Sequence, residues 1–83
     1  MKRRFVVITG MVELMHFARI VAESGVPVMC SRGIVRVDGR DWEGIVNLDP
    51  SYGMIVEYPE AAAALDEFLI PFEKDYIEIE NPM

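Results

Sequence analysis

The chain has 83 residues, with 8 Lys or Arg against 14 Asp or Glu, so its formal net charge at pH 7 is −6. This balance excludes ordinary nucleic-acid binding, because neutralising phosphates requires a surplus of cations. The longest uncharged apolar stretch, residues 5–12, is too short to span a bilayer. The single cysteine, Cys30, cannot form an internal disulfide. We therefore expect one cytoplasmic domain with neither a membrane nor a nucleic acid as partner.

The charges are distributed unevenly along the chain. Residues 1–41 hold seven cations and four anions, whereas residues 42–83 hold one cation and ten anions. We expect the two halves to neutralise each other across the fold. The alternative is that the first half presents a docking surface.

The first half begins with a strand and a helix. Residues 4–9 are rich in β-branched side chains and predict a strand, which Gly10 ends. Residues 11–24 have a helical pattern, and Gly25 is a typical end signal for it. The pattern indicates a buried helix with one polar stripe. That stripe consists of Glu13, His16, Arg19 and Glu23.

Shorter elements follow. Residues 26–31 and 34–38 predict two strands joined by a turn. Residues 42–48 are compatible with a short helix or an irregular crossing segment. Residues 54–58 predict a strand, and residues 59–70, which begin with Pro59 and contain four alanines, predict a helix that ends before the next proline.

The resulting order, β-α-β-β-α-β-α, predicts an α+β domain in which helices cover one face of a small sheet. We assign residues 1–71 to this domain and residues 72–83 to a C-terminal extension. Residues 76–80 alternate between apolar and acidic side chains. They could add an edge strand in this molecule, pair with a neighbouring copy to form an oligomer, or remain a solvated tail.

The segment Val37-Asp38-Gly39-Arg40-Asp41-Trp42-Glu43-Gly44-Ile45-Val46-Asn47-Leu48 resembles the HPr phosphocarriers of the bacterial sugar phosphotransferase system. That family has a strand, then Val-Asn-Gly-Lys-Ser, an apolar residue, Gly and a short helix ending in Leu. The element order also agrees, and the resemblance covers roughly residues 4–70. It implies an open-faced β-sandwich with the helices on one face.

In that family the phosphoryl acceptor is a His in a Gly-Leu-His-Ala-Arg-Pro-Ala pattern, at a helix N-terminus that favours a dianion. The corresponding segment here is Glu13-Leu14-Met15-His16-Phe17-Ala18-Arg19. Aligned on the Leu, Met15 stands at the acceptor position, and methionine cannot be phosphorylated. The resemblance thus implies a regulatory interaction module that is not an enzyme. The alternative is a phosphocarrier that uses His16, with Arg19 as a phosphate partner.

Asp41 stands where Gram-positive members of the family carry a Ser that a regulatory kinase phosphorylates. The resemblance therefore implies a regulatory role for this permanent carboxylate. An ordinary helix cap is the alternative, because Asp is among the best capping residues.

For a regulatory module we expect a protein partner, either a component of the phosphotransferase system or a regulator. The expected docking surface comprises Met15, Phe17, Trp42, Ile45 and Leu48. We predict no cofactor and no metal, since the one His lacks a second His or paired Cys beside it. A third hypothesis is a small-molecule sensor of the ACT type, which residues 17–25 and the following strand match weakly.

Overall fold

The structure, a computed structural model, describes residues 1–75. It contains four strands and three α-helices in the predicted order. These are β1 (Lys2–Val6), α1 (Met11–Ser24), β2 (Met29–Arg32), β3 (Val35–Asp38), α2 (Trp42–Leu48), β4 (Met54–Tyr58) and α3 (Ala63–Leu69). Short 3-10 turns follow α2 at Pro50–Tyr52 and α3 at Ile70–Phe72. The chain is therefore an α+β domain, as predicted.

The strands form one antiparallel sheet in the order β1-β4-β2-β3. Val56 in β4 lies opposite Arg4 in β1 and opposite Cys30 in β2, and Cys30 lies opposite Val37 in β3. Since side chains alternate between the two faces of a strand, these four residues belong to one row on one face.

The helices cover this face. The strands contribute a buried set to it, which comprises Val6, Cys30, Met54, Val56 and Tyr58. The helices contribute a matching set, which comprises Leu14, Phe17, Val21, Ile45, Leu48, Leu65 and Leu69. The opposite face of the sheet carries Arg3 and Arg36, which both lie within ion-pair distance of Glu57, at 3.3 and 3.5 Å.

Helix α1 has the predicted bounds, and Gly25 ends it in the left-handed conformation, with φ of 69°. The expectation that α1 is buried apart from its polar stripe is wrong. Only Leu14, Phe17 and Val21 are buried, and they are spaced by three and four residues. A helix that lies on a sheet buries one such stripe. Ile20 is partly buried beside this stripe, whereas Met11 and Met15 stay exposed.

Several element boundaries differ from the prediction, and β1 begins at Lys2 rather than at residue 4 and β2 at Met29 rather than at residue 26. β1 ends at Val6 because the next two amides bond elsewhere: Val7 donates to Phe72 and Ile8 to Pro50. The last helix begins at Ala63 rather than near Pro59, since residues 59–62 form turns in which Ala62 donates to the Pro59 carbonyl.

A polar cluster joins α3 to the sheet. The Tyr58 side chain is fully buried, and its hydroxyl donates to Asp66 Oδ1 at 2.6 Å. Arg4 donates from Nε to the same Tyr58 oxygen at 2.9 Å and to Asp66 at 3.0 Å, and its Nη1 donates to Glu73 at 2.7 Å. Lys2 Nζ donates to the other Asp66 oxygen at 3.1 Å. The cluster therefore ties β1, β4, α3 and the segment after it into one network.

The ion pairs confirm that the halves neutralise each other. Within residues 1–75, every ion pair except Arg40–Asp38 joins a cation of residues 1–41 to an acid of residues 42–75. The antiparallel pairing of β1 with β4 places Arg3 opposite Glu57.

The start of the C-terminal extension lies against the edge of β1. Val6 forms an antiparallel bridge with Glu73, and the Lys74 amide donates to the Phe5 carbonyl at 2.9 Å. The predicted edge strand at residues 76–80 lies outside the described residues. Within residues 1–75, none of the helices has the length and apolar character needed to cross a bilayer.

Tyr58→Phe tests the contribution of the polar cluster to stability. The variant loses the hydroxyl that bonds to Asp66 and Arg4, so we expect the free energy of unfolding to fall by about 1.5–3 kcal/mol. Urea unfolding should show a lower midpoint with an unchanged m-value. Tyr52→Phe is the matched control, because Tyr52 is 66% exposed, and it should stay within about 0.5 kcal/mol of the native protein. A Tyr58→Phe variant as stable as this control would contradict the assignment.

Stability should also depend on pH through Asp66. Hydrogen bonds from Tyr58, Lys2 and Arg4 lower the pKa of Asp66 from 3.8 to about 2. Because the folded-state pKa lies below the unfolded one, this contribution is complete above pH 3.8 and is lost as the pH falls through about 2. In urea unfolding, the stability difference between the native protein and Asp66→Asn should shrink over that range. Glu67→Gln, on the same helix, controls for the loss of one charge. A difference that stayed constant with pH would refute the prediction.

Candidate functional site

A carboxylate occupies the N-terminus of α1. Gly10 caps the helix in an extended conformation without a side-chain hydrogen bond, and the Leu14 amide bonds back to its carbonyl at 3.0 Å. Glu13 lies in the first turn, and its carboxyl group lies so close to Gly10 that a Cβ atom there would collide with it. The positive end of the helix dipole is therefore already next to a negative charge.

His16 lies in the second turn of α1, with its side chain exposed. At this position the backbone N–H is part of the regular helical hydrogen bonding and cannot bind an anion. Arg19 is also exposed, and it is three residues further from the N-terminus. The structure thus confirms that His16 is not at the helix cap, although it does place His16 and Arg19 on neighbouring positions of one helix surface.

Four exposed apolar side chains form a surface across α1 and α2, which we call the apolar patch. It consists of Met11 and Met15, each 56% exposed, and Trp42 and Val46, each 39% exposed. Met11 and Val46 line the same groove between the two helices, and Val46 lines a second groove with Trp42. Met15 follows Met11 by one turn, so their side chains are neighbours.

The structure corrects the expected docking surface. Met15 and Trp42 are exposed as expected, but Phe17, Ile45 and Leu48 are buried, at 0%, 1% and 5% exposure. They lie on the faces of α1 and α2 that pack on the sheet, and so cannot contact a partner. The sequence analysis missed Met11 and Val46. Helical spacing could have found them, because Met11 precedes Met15 by four residues and Val46 follows Trp42 by four.

Asp41 forms the N-terminal cap of α2. Its side chain accepts a hydrogen bond from the Gly44 amide at 3.1 Å. Gly44 permits this close approach, since a Cβ atom there would lie 2.6 Å from the Asp41 carboxylate. This geometry is that of the capping alternative, and the regulatory role of Asp41 stays a prediction.

The described residues offer neither a reactive thiol nor a metal-binding cluster. Cys30 is fully buried in β2, and burial raises the pKa of its thiol to about 12, so the reactive thiolate is suppressed. Among residues 1–75 there is no group of three or more His, Cys, Asp or Glu side chains that could hold a metal ion.

Because Phe17 is buried, its ring should contribute strongly to the stability of the domain. Phe17→Ala removes a fully buried ring that lies 6.5 Å from the ring of Phe68, and should cost about 3–5 kcal/mol. Met15→Ala, two residues away but exposed, should change stability by less than about 0.5 kcal/mol. Since such a small domain has only about 5–15 kcal/mol in total, Phe17→Leu should be measured too, and its loss should be intermediate. Equal losses for Phe17→Ala and Met15→Ala in urea unfolding would refute the assignment.

Comparison with known proteins leaves the resemblance at residues 37–48 as a prediction. Protein-family models, curated proteins and solved structures give no match to this chain.

Proposed function

We propose that this protein is an HPr-like interaction module that acts in regulation of the sugar phosphotransferase system without carrying a phosphoryl group itself. The observation that carries the proposal is the apolar patch on α1 and α2 beside a helix N-terminus that a carboxylate already occupies. The antiparallel sheet with strand order β1-β4-β2-β3, covered by helices on one face, supports the HPr-like fold.

The patch is suited to binding a protein. Burying a Met or Val side chain is worth about 1.5–3 kcal/mol, and the core of this domain leaves these side chains in water. Their contiguity distinguishes them from isolated exposed apolar residues, which are normal on a protein surface. Methionine adapts its shape to a partner, and tryptophan is frequent at the centre of interfaces. Met15 and Trp42 thus combine adaptability with a rigid anchor.

Phosphoryl transfer is disfavoured by both charge and hydrogen bonding. A phosphoryl dianion at the start of α1 would meet the Glu13 carboxylate, which lies against Gly10. A dianion on His16 would instead lie one turn inside the helix, away from the unpaired amides. The one feature in favour of a carrier is the exposed His16 with Arg19 three residues on.

An assay with enzyme I of the phosphotransferase system separates the two functions. With phosphoenolpyruvate, enzyme I should add no phosphoryl mass to this protein under conditions that fully label an ordinary HPr. In excess, the protein should slow labelling of ordinary HPr, because the two proteins would compete for binding to enzyme I.

Variants test whether the apolar patch is responsible for this competition. Met15→Lys and Val46→Lys should relieve it, whereas Ile34→Lys, at an exposed apolar side chain in the turn between β2 and β3, should not. A phosphoryl mass gain that disappears in His16→Ala would establish the carrier function instead. Absence of competition by the native protein would remove the proposed docking to this system.

A further inference from the structure

The apolar patch is bordered by acidic side chains. Glu43, in the first turn of α2, lines the groove between Trp42 and Val46. Asp49, which follows α2, lines the groove between Val46 and Met11. Both side chains are exposed. Asp49 Oδ1 accepts a hydrogen bond from Ser51 at 2.6 Å, and Oδ2 accepts none from the described residues.

The cations are mostly engaged elsewhere. Lys2, Arg3, Arg4 and Arg36 pair with acids on the sheet and on α3. Arg32 donates to the Leu48 carbonyl and lies over the Tyr52 ring, 5.1 Å from its centroid. Near the patch, Arg40 is paired with Asp38, and Arg19 lies one turn beyond Met15 on α1. Glu13, Glu43 and Asp49 thus leave the patch with a negative rim.

Building on the docking surface of the proposed function, we propose that the apolar patch binds a basic amphipathic helix of a partner protein. Charge complementarity selects the chemistry of the partner, because Lys and Arg side chains place an aliphatic stem on apolar surface and a cation at its edge. On this patch the stems would contact Met11, Met15 and Val46, and the cations would reach Glu43 and Asp49.

The shape of the patch favours a helix as the binding segment of the partner. Val46 separates two grooves, one shared with Trp42 and one shared with Met11. Two apolar side chains at positions i and i+4 of a helix lie on one side and can straddle such a ridge. The same negative rim repels anionic lipid headgroups and nucleic-acid phosphates, which argues against both as partners.

The only tryptophan of the chain is Trp42, so its fluorescence reports directly on the patch. We would titrate the protein with two designed helical peptides that lack tryptophan and share one apolar face, one with Lys and Arg on the polar face and the other with Glu. The basic peptide should shift the Trp42 emission and bind about five- to tenfold more tightly than the acidic one. Its affinity should fall as salt is added.

Variants that remove negative charges test whether the acidic rim attracts the basic peptide. Glu43→Gln combined with Asp49→Asn should weaken binding of the basic peptide about fivefold, and Asn tolerates the positive φ of 58° that Asp49 adopts. Glu23→Gln combined with Glu67→Gln removes the same charge away from the patch and should leave binding unchanged. Circular dichroism and thermal unfolding verify that both variants fold.

Each outcome decides the proposal. Equal binding of the two peptides, lost in Met15→Lys, would overturn the basic-partner assignment and leave the docking surface intact. If neither peptide shifts Trp42 emission, the proposal is overturned, while the proposed function is judged separately by competition for enzyme I. A shift caused by phosphatidylserine vesicles would overturn it in favour of a membrane surface.

Discussion

The size of the sheet is the constraint from which the rest of the structure follows. Four antiparallel strands of four or five residues each offer one face, and three helices share it. Each helix therefore buries a narrow stripe, such as Leu14, Phe17 and Val21 in α1. Apolar side chains farther from that stripe, such as Met11 and Met15, stay exposed. Where Met11 of α1 and Val46 of α2 line one groove, these side chains become the apolar patch.

The distribution of charge follows from the same topology. Pairing of β1 with β4 sets the cations near the N-terminus against acids of the second half, and α3 places Asp66 next to Arg4 and Tyr58. These contacts pair most of the cations of the sheet with acids. Glu13, Glu43 and Asp49 have no ion-pair partner among residues 1–75, and they border the patch. The same distribution of ion pairs thus stabilises the fold and leaves unpaired acids around the apolar patch.

The fold was largely predictable because it depends on local signals. The β-branched run, the helical spacing and the turn glycines identify the order of the elements, and Gly25 marks the end of α1. The boundaries at Val6 and Ala63 were not predictable, since they depend on hydrogen bonds to residues distant in sequence or on irregular turns. The Tyr58–Asp66–Arg4 cluster also escapes sequence analysis, because nothing in the spacing shows that these groups meet in space.

The candidate site was predictable only in part, for a related reason. Periodicity places Phe17 and Met15 on one helix, but the orientation of that helix on the sheet decides which of them is buried. The Glu13 carboxylate illustrates the same point at the helix N-terminus. In the sequence Glu13 is one more member of a polar stripe, whereas in the structure it lies against Gly10, beside the positive end of α1. An anion-binding helix end and a neighbouring apolar surface are separable features, and this chain has such a surface while its own carboxylate occupies the helix end.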